Sequence, residues 1–177
     1  RRERGAAADE TVLLFVSNNF GRKGLDVCIR ALARAEGVSA RLWVAGDGRA
    51  APFRRLADRL GVGGRVEFLG AVRGVERLYA GADALVLPTR YDPFAGTCLE
   101  AMACGLPVVT TRMNGAAELI EDGVSGFIQS PGDDAEALAR SISLLGDGAR
   151  RTAMGARAAE KAAPFTWRRH AEELLAL

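Results

Sequence analysis

The stretch "ADALVLPTRYDPFAGTCLEAMACGLPVVTT", residues 82–111, decides the fold. Two short apolar runs, "ADALVLPT" (82–89) and "PVVTT" (107–111), flank one helical pattern. Neither run alternates with polar residues, the mark of a strand covered on both faces. The helix between them has a clear stop: Gly105 at its end, Leu106 beyond it, and Pro107 barring continuation. A strand, a crossover helix and a second strand imply parallel pairing, since antiparallel neighbours need only a tight turn. The loop "TRYDPFAGT" then lies at a strand's carboxyl end.

Working outward, the same alternation covers the chain. Strands are predicted at "TVLLFVS" (11–17), "ARLWVAG" (40–46), "RVEFLG" (65–70) and "SGFIQ" (125–129). Helices are predicted at "KGLDVCIRALARAEG", with Leu25, Ile29, Leu32 and Ala33 at helical spacing, and at "APFRRLADRLG", with Pro52 near its first turn. A short helix is expected over residues 75–80 and another at "AAELIEDG". The tail carries two or three more: "DAEALARSISLLGD", "ARRTAMGARAAEKAA" and "TWRRHAEELLAL". The pattern predicts an α/β fold, a doubly wound, six-stranded parallel sheet of Rossmann-like type over residues 11–177. Ligands in such sheets bind outside the carboxyl ends of the strands.

Composition narrows the function classes. The 177 residues carry 24 Lys and Arg against 22 Asp and Glu, a net charge of +2. That balance points to neither nucleic acid nor an anionic membrane as the main partner. Lysine occurs only at Lys23 and Lys161, which singles out Lys23 in a strand-end loop. Cys28, Cys98 and Cys104 form no Cys-x-x-Cys pair and sit in apolar helical patterns, favouring a reducing, cytoplasmic compartment over disulfides or a zinc site. No apolar run approaches the roughly 18 residues of a membrane span. "RRERGAAADE" (1–10) lacks a signal peptide's apolar core and reads as a linker arriving from upstream.

Three strand-end loops hold the candidate chemistry. In "SNNFGRKGLD", Gly21 and Gly24 bracket Arg22 and Lys23 where a helix begins. Helix N-termini attract anions, so two adjacent cations there are costly unless an anion joins them. Arg offers phosphate a bidentate fork and Lys a point charge, together suited to a diphosphate; a solvated glycine loop is the alternative. In "GDGRAAPF", Gly46-x-Gly48-x-x-Ala51 matches a dinucleotide fingerprint, with Glu67 near the offset for a ribose contact. Against that reading, Glu67 lies inside a strand, and a complete strand–helix unit precedes the glycines.

In "YDPFAGTCLE", Pro93 biases Asp92 toward extended backbone. Thr97 and Glu100 have the spacing of a capping box, which would explain Glu100 without any ligand. Alternatively, "FAGT" leaves N–H groups free for phosphate oxygens, and Asp92 and Glu100 accept hydrogen bonds from sugar hydroxyls.

"FVSNNFGRKGLD", "WVAGDG", "RVEFLG", "YDPFAGTCLEAMACGLPVVTT" and "DGVSGFI", in this order, resemble the C-terminal nucleotide-sugar-binding domain of family 4 retaining glycosyltransferases of the GT-B fold. "GRKG" and "YDPF" are most similar to lipopolysaccharide core glucosyltransferases. The resemblance implies that Arg22 and Lys23 clamp the donor diphosphate and act in catalysis. It implies donor-sugar contacts at Asp92, Phe94, Ala95, Gly96 and Thr97. It places the nucleotide at Glu100 (ribose), at Val72 (base) and beside Gly46. The first acid of the pattern is usually Glu, and an arginine is usual where Asn18 stands. The resemblance implies a UDP-sugar substrate, UDP-glucose above all, and chemistry without metal or cofactor. It further implies a second, N-terminal domain bringing the acceptor site and any membrane contact. His170 is expected to be a packing or surface residue rather than the family's catalytic histidine.

Overall fold

A computed structural model describes residues 1, 4–130 and 134–176, leaving the side chains of residues 167, 170 and 173 undescribed; the expectation for His170 thus lies outside the described residues. Six strands form one sheet: β1 (Thr11–Val16), β2 (Ala40–Ala45), β3 (Val66–Gly70), β4 (Ala84–Leu87), β5 (Val108–Thr111) and β6 (Gly126–Gln129). Their order is β3-β2-β1-β4-β5-β6, and every pairing is parallel. β1 and β4 are central and buried throughout apart from Val16 at the end of β1, which matches their unbroken apolar sequences.

Among the described residues, seven α-helices connect or follow the strands: α1 (Leu25–Arg34), α2 (Ala51–Arg59), α3 (Glu76–Gly81), α4 (Gly96–Ala103), α5 (Ala135–Leu145), α6 (Gly148–Ala162) and α7 (Trp167–Leu175). From β1 the chain winds outward to β2 and β3, and from β4 it winds the other way. Right-handed crossovers therefore put α1 and α2 on one face, α3 and α4 on the other. α5 packs on α1, and α6 packs on α4. The winding direction reverses between β1 and β4, the place at the carboxyl edge where such sheets bind their ligands.

Two local expectations change. "AAELIEDG" forms a five-residue 3-10 turn, Gly115–Leu119, rather than an α-helix. The Asn114 side chain caps it, and Ile120 returns to extended backbone too soon for α-type bonds to propagate. The Thr97–Glu100 capping box does not form: α4 starts at Gly96, its N-cap is Ala95, and no side chain caps it. Thr97 is already inside the first turn, so the geometry that a capping box requires is absent.

Three residues of the stretch expected to be a linker, Arg1, Arg4 and Glu10, also pair with the domain. Arg1 pairs with Asp83 at 2.8 Å, Arg4 with Glu67 at 3.1 Å, and Glu10 with Arg41 at 2.6 Å. Arg4 also lies over the Trp43 ring, 5.8 Å from its centre.

The stop of α4 follows its sequence. Leu106 N–H donates to the Ala101 carbonyl and Gly105 N–H to that of Met102, with Gly105 at φ 75°. Cys28 and Cys98 are buried, and burial pushes the Cys98 thiol up to about 12; Cys104, at the end of α4, is exposed. None of the described helices is long and apolar enough to cross a membrane.

Candidate nucleotide-sugar site

The loops after β1 and β4 meet at the reversal point because each holds the other's backbone. Gly24, at φ 78°, comes so close to Pro88 that a Cβ there would lie 2.2 Å from the Pro88 carbonyl oxygen. Arg90 N–H donates to the Arg22 carbonyl at 2.8 Å, and the Thr89 hydroxyl donates to the same oxygen at 3.2 Å. The Arg90 side chain reaches across to both carboxylate oxygens of Asp26 at 3.0 and 3.1 Å.

Around this junction Arg22, Lys23 and Asp92 form one charged cluster. Asp92 Oδ2 accepts from Lys23 Nζ and, at 3.3 Å, from Arg22 Nη1. Asp92 Oδ1 accepts from the Phe94 N–H at 3.0 Å. Lys23 and Asp92 are each 7% exposed, whereas the Arg22 side chain is 43% exposed. Burial alone would raise the Asp92 carboxyl. The hydrogen bond and charge of Lys23 outweigh that, helped by the Phe94 N–H and by Arg22, and hold it below the usual carboxylate range.

The anion that settles Lys23 at the start of α1 is thus Asp92, where an outside phosphate was expected. Two cations face one carboxylate, which leaves one positive charge in the cluster unbalanced.

The start of α4 lies four residues after Asp92, and the fold distributes its N–H groups unevenly. Phe94 N–H is used by Asp92, and Ala95 N–H donates to Asn114 Oδ1 at 3.1 Å. Among the described residues, no chain partner occupies the N–H groups of Gly96 and Thr97. Of the four residues expected to hold phosphate or sugar through backbone, these two remain open in this structure. A Cβ on Gly96 would meet nothing within 4 Å, and the same holds for Gly21. Glycine at both places leaves room.

Asn114 is the residue that sequence reasoning missed. It is 1% exposed, and its Oδ1 accepts from the N–H groups of Ala95 and Ala116. Its Nδ2 donates to Thr110 Oγ1 at 2.9 Å and to Cys98 Sγ at 3.4 Å. One amide therefore ties the β5 loop to the start of α4. The Asp92 backbone reinforces the tie, donating to Met113 O at 2.9 Å and accepting from Gly115 N–H at 3.0 Å. The signal available was the Asn-Gly pair after β5, which reads only as a turn.

Glu100, exposed on α4, accepts a 2.8 Å hydrogen bond at Oε2 from the Tyr79 hydroxyl. Val72 is half-buried and packs on the core. Gly46 donates its N–H to Gly70 O at 2.8 Å, joining the loops after β2 and β3. A cavity of about 300 Å³ opens there, lined by Phe20, Gly46, Gly48, Arg54 and Phe68 among others.

The dinucleotide reading loses its acid in this arrangement. Glu67 is paired with Arg4, and Gly48 is needed for packing, since a Cβ there would lie 2.6 Å from the Phe20 ring. α2 has Ala50 as its N-cap and no side-chain cap.

Comparison with known proteins bears on the family and the fold. The chain is 36% identical over 183 residues to the D-inositol 3-phosphate glycosyltransferase of Mycobacterium marinum, covering 97% of this chain and 39% of that protein. The structure of WaaG, a glycosyltransferase involved in lipopolysaccharide biosynthesis, superposes with a TM-score of 0.87 at 32% identity, covering 93% of this chain and 46% of that one. Anabaena HepE, solved in complex with UDP and glucose, gives a TM-score of 0.89 at 29% identity over 100% of this chain and 51% of that one. The chain spans about half the length, or less, of each of these relatives. The sheet and its helices are the Rossmann-like half of a GT-B glycosyltransferase. Residues 10–147 match the glycosyl transferases group 1 family, and the chain belongs to it.

Proposed function

We propose that the chain is the donor-binding half of a retaining hexosyltransferase, one that moves a hexose from a UDP-sugar, UDP-glucose above all, to a hydroxyl of a glycan or lipopolysaccharide acceptor. The observation that carries this reading is the cluster of Arg22, Lys23 and Asp92, with the open N–H groups of Gly96 and Thr97 four and five residues past Asp92. An anionic diphosphate fits the unbalanced positive charge and the start of α4 together. The UDP and glucose held by the Anabaena relative support the same ligand class.

In this reading Lys23 and Arg22 bind the diphosphate. As the bond from the sugar's anomeric carbon to phosphate breaks, its electron pair passes to the phosphate oxygen, and the two cations stabilise that charge. Asp92 does two tasks. It holds Lys23 in place, and its Oδ1, with one of its bonding directions taken by Phe94, accepts a donor-sugar hydroxyl. Glu100 takes the ribose diol, and the base lies along the loop from Gly70 to Val72, beside the cavity at Gly46. Residues 1–10 connect to an N-terminal domain that supplies the acceptor site and any membrane contact.

The test is a calorimetric titration of the 177-residue chain with UDP, UDP-glucose, GDP, ADP and NAD, followed by a transfer assay. UDP and UDP-glucose binding with very slow turnover is the expected result. Steady transfer by this chain alone contradicts the half-site reading, and selective NAD binding contradicts the donor class.

A further inference from the structure

We infer that Tyr79 is a positioning residue for Glu100, fixing its carboxylate so that the site distinguishes a nucleotide with an intact ribose diol from one without it. The inference rests on the reading of Glu100 as the ribose contact.

Glu100 sits in the second turn of α4, exposed to solvent. A free glutamate there has three rotatable bonds, and ordering it on a ligand is entropically unfavourable. Tyr79 removes part of that freedom beforehand. Its ring belongs to the core, 2% exposed on α3, and only its hydroxyl reaches the α4 surface, 2.8 Å from Glu100 Oε2. The ring is anchored through the α3 backbone, where Tyr79 N–H donates to the Val75 carbonyl.

The direction of this bond is defined. Burial first, then the hydrogen bond and charge of Glu100, keep the phenol protonated far above its ordinary range, so Tyr79 donates and Glu100 accepts. A phenol has one proton to give. It occupies one acceptor direction on Oε2 and leaves Oε1, with the second direction of Oε2, for a pair of hydroxyls. A vicinal diol presents two donors to such a carboxylate, and a ribose lacking both hydroxyls presents none. Pre-organisation by Tyr79 therefore strengthens binding only for ligands that use the carboxylate.

A merely structural tyrosine makes a different demand. If Glu100 serves only to satisfy the Tyr79 hydroxyl, removing that oxygen alters stability and leaves ligand discrimination alone. The experiment measures Kd for UDP and for 2′,3′-dideoxy-UDP by calorimetry on the wild-type chain, Tyr79→Phe, Glu100→Ala and the double variant, with melting curves for each. Wild type is expected to prefer UDP. Glu100→Ala abolishes the preference, and Tyr79→Phe weakens UDP about fivefold to tenfold while leaving dideoxy-UDP unchanged. The double variant matches Glu100→Ala, because Tyr79 acts through that carboxylate.

If Glu100→Ala abolishes the preference and Tyr79→Phe does not reduce it, Tyr79 has no positioning role and the ribose reading stands. If Glu100→Ala leaves the preference intact, the ribose reading fails and the role of Tyr79 fails with it.

Discussion

The loop after β2 and the pair of loops after β1 and β4 contain the same ingredients, glycines ahead of a helix at a strand's carboxyl end. Gly24 apart, which packs on Pro88, the fold uses those glycines in opposite ways. At Gly46, φ is 136° and a Cβ would lie 1.8 Å from the Ser17 carbonyl oxygen; at Gly48 it would strike the Phe20 ring. Those glycines let the chain approach itself. At Gly21 and Gly96 a Cβ meets nothing within 4 Å, and charged or unpaired polar groups stand nearby. Those glycines leave space for something else. A glycine pattern alone therefore says little about ligands, and the contents of the space beside it say more.

Substitutions can break this contrast. Gly46→Ala is expected to have the largest effect, about 3–4 kcal/mol of lost stability, since it combines a clash with a strained backbone. Chemical denaturation reads it directly, and a neutral outcome would remove one side of the comparison.

Lys23→Ala comes next. It leaves Asp92 buried with only Arg22 and the Phe94 N–H, so the loss falls toward the lower end of the ~3–5 kcal/mol found when one partner of a buried pair is removed. UDP affinity falls with it, by about tenfold or more.

Acid provides a gentler probe of the same cluster. The folded Asp92 carboxyl titrates below its unfolded range, so its contribution is complete above the unfolded value and is lost as pH falls through the folded one. Melting temperature followed from pH 7 downward should show wild type losing an increment below about pH 4 that Asp92→Asn does not lose. Parallel curves for the two proteins would mean that the cluster contributes nothing through Asp92.

Gly21→Ala should do least, changing stability by less than about 0.5 kcal/mol. A large loss there would show that the open side of the comparison is packed after all.

The sheet was legible from sequence because its central strands, β1 and β4, are two-sided apolar runs, and period and punctuation are local signals. The stop of α4 was legible for the same reason, with Gly105 and Pro107 next to one another in chain and space. Contacts between distant residues were not. Lys23 and Asp92 lie 69 residues apart, and no local rule says that the carboxylate expected to read a sugar also neutralises the lysine expected to hold a phosphate. Tyr79 and Glu100 are 21 apart on different helices. The Thr97–Glu100 spacing misled because α4 begins two residues earlier than a capping box needs, at Gly96.

The central claim is that the carboxyl edge between β1 and β4 holds a nucleoside diphosphate. The most direct measurement is a calorimetric titration of UDP into the wild-type chain and into Arg22→Ala, a change at the exposed member of the cluster. Saturable binding to wild type, weakened about tenfold in Arg22→Ala at an unchanged melting temperature, is the predicted result. No UDP binding to wild type, or equal affinity in the two proteins, would contradict it.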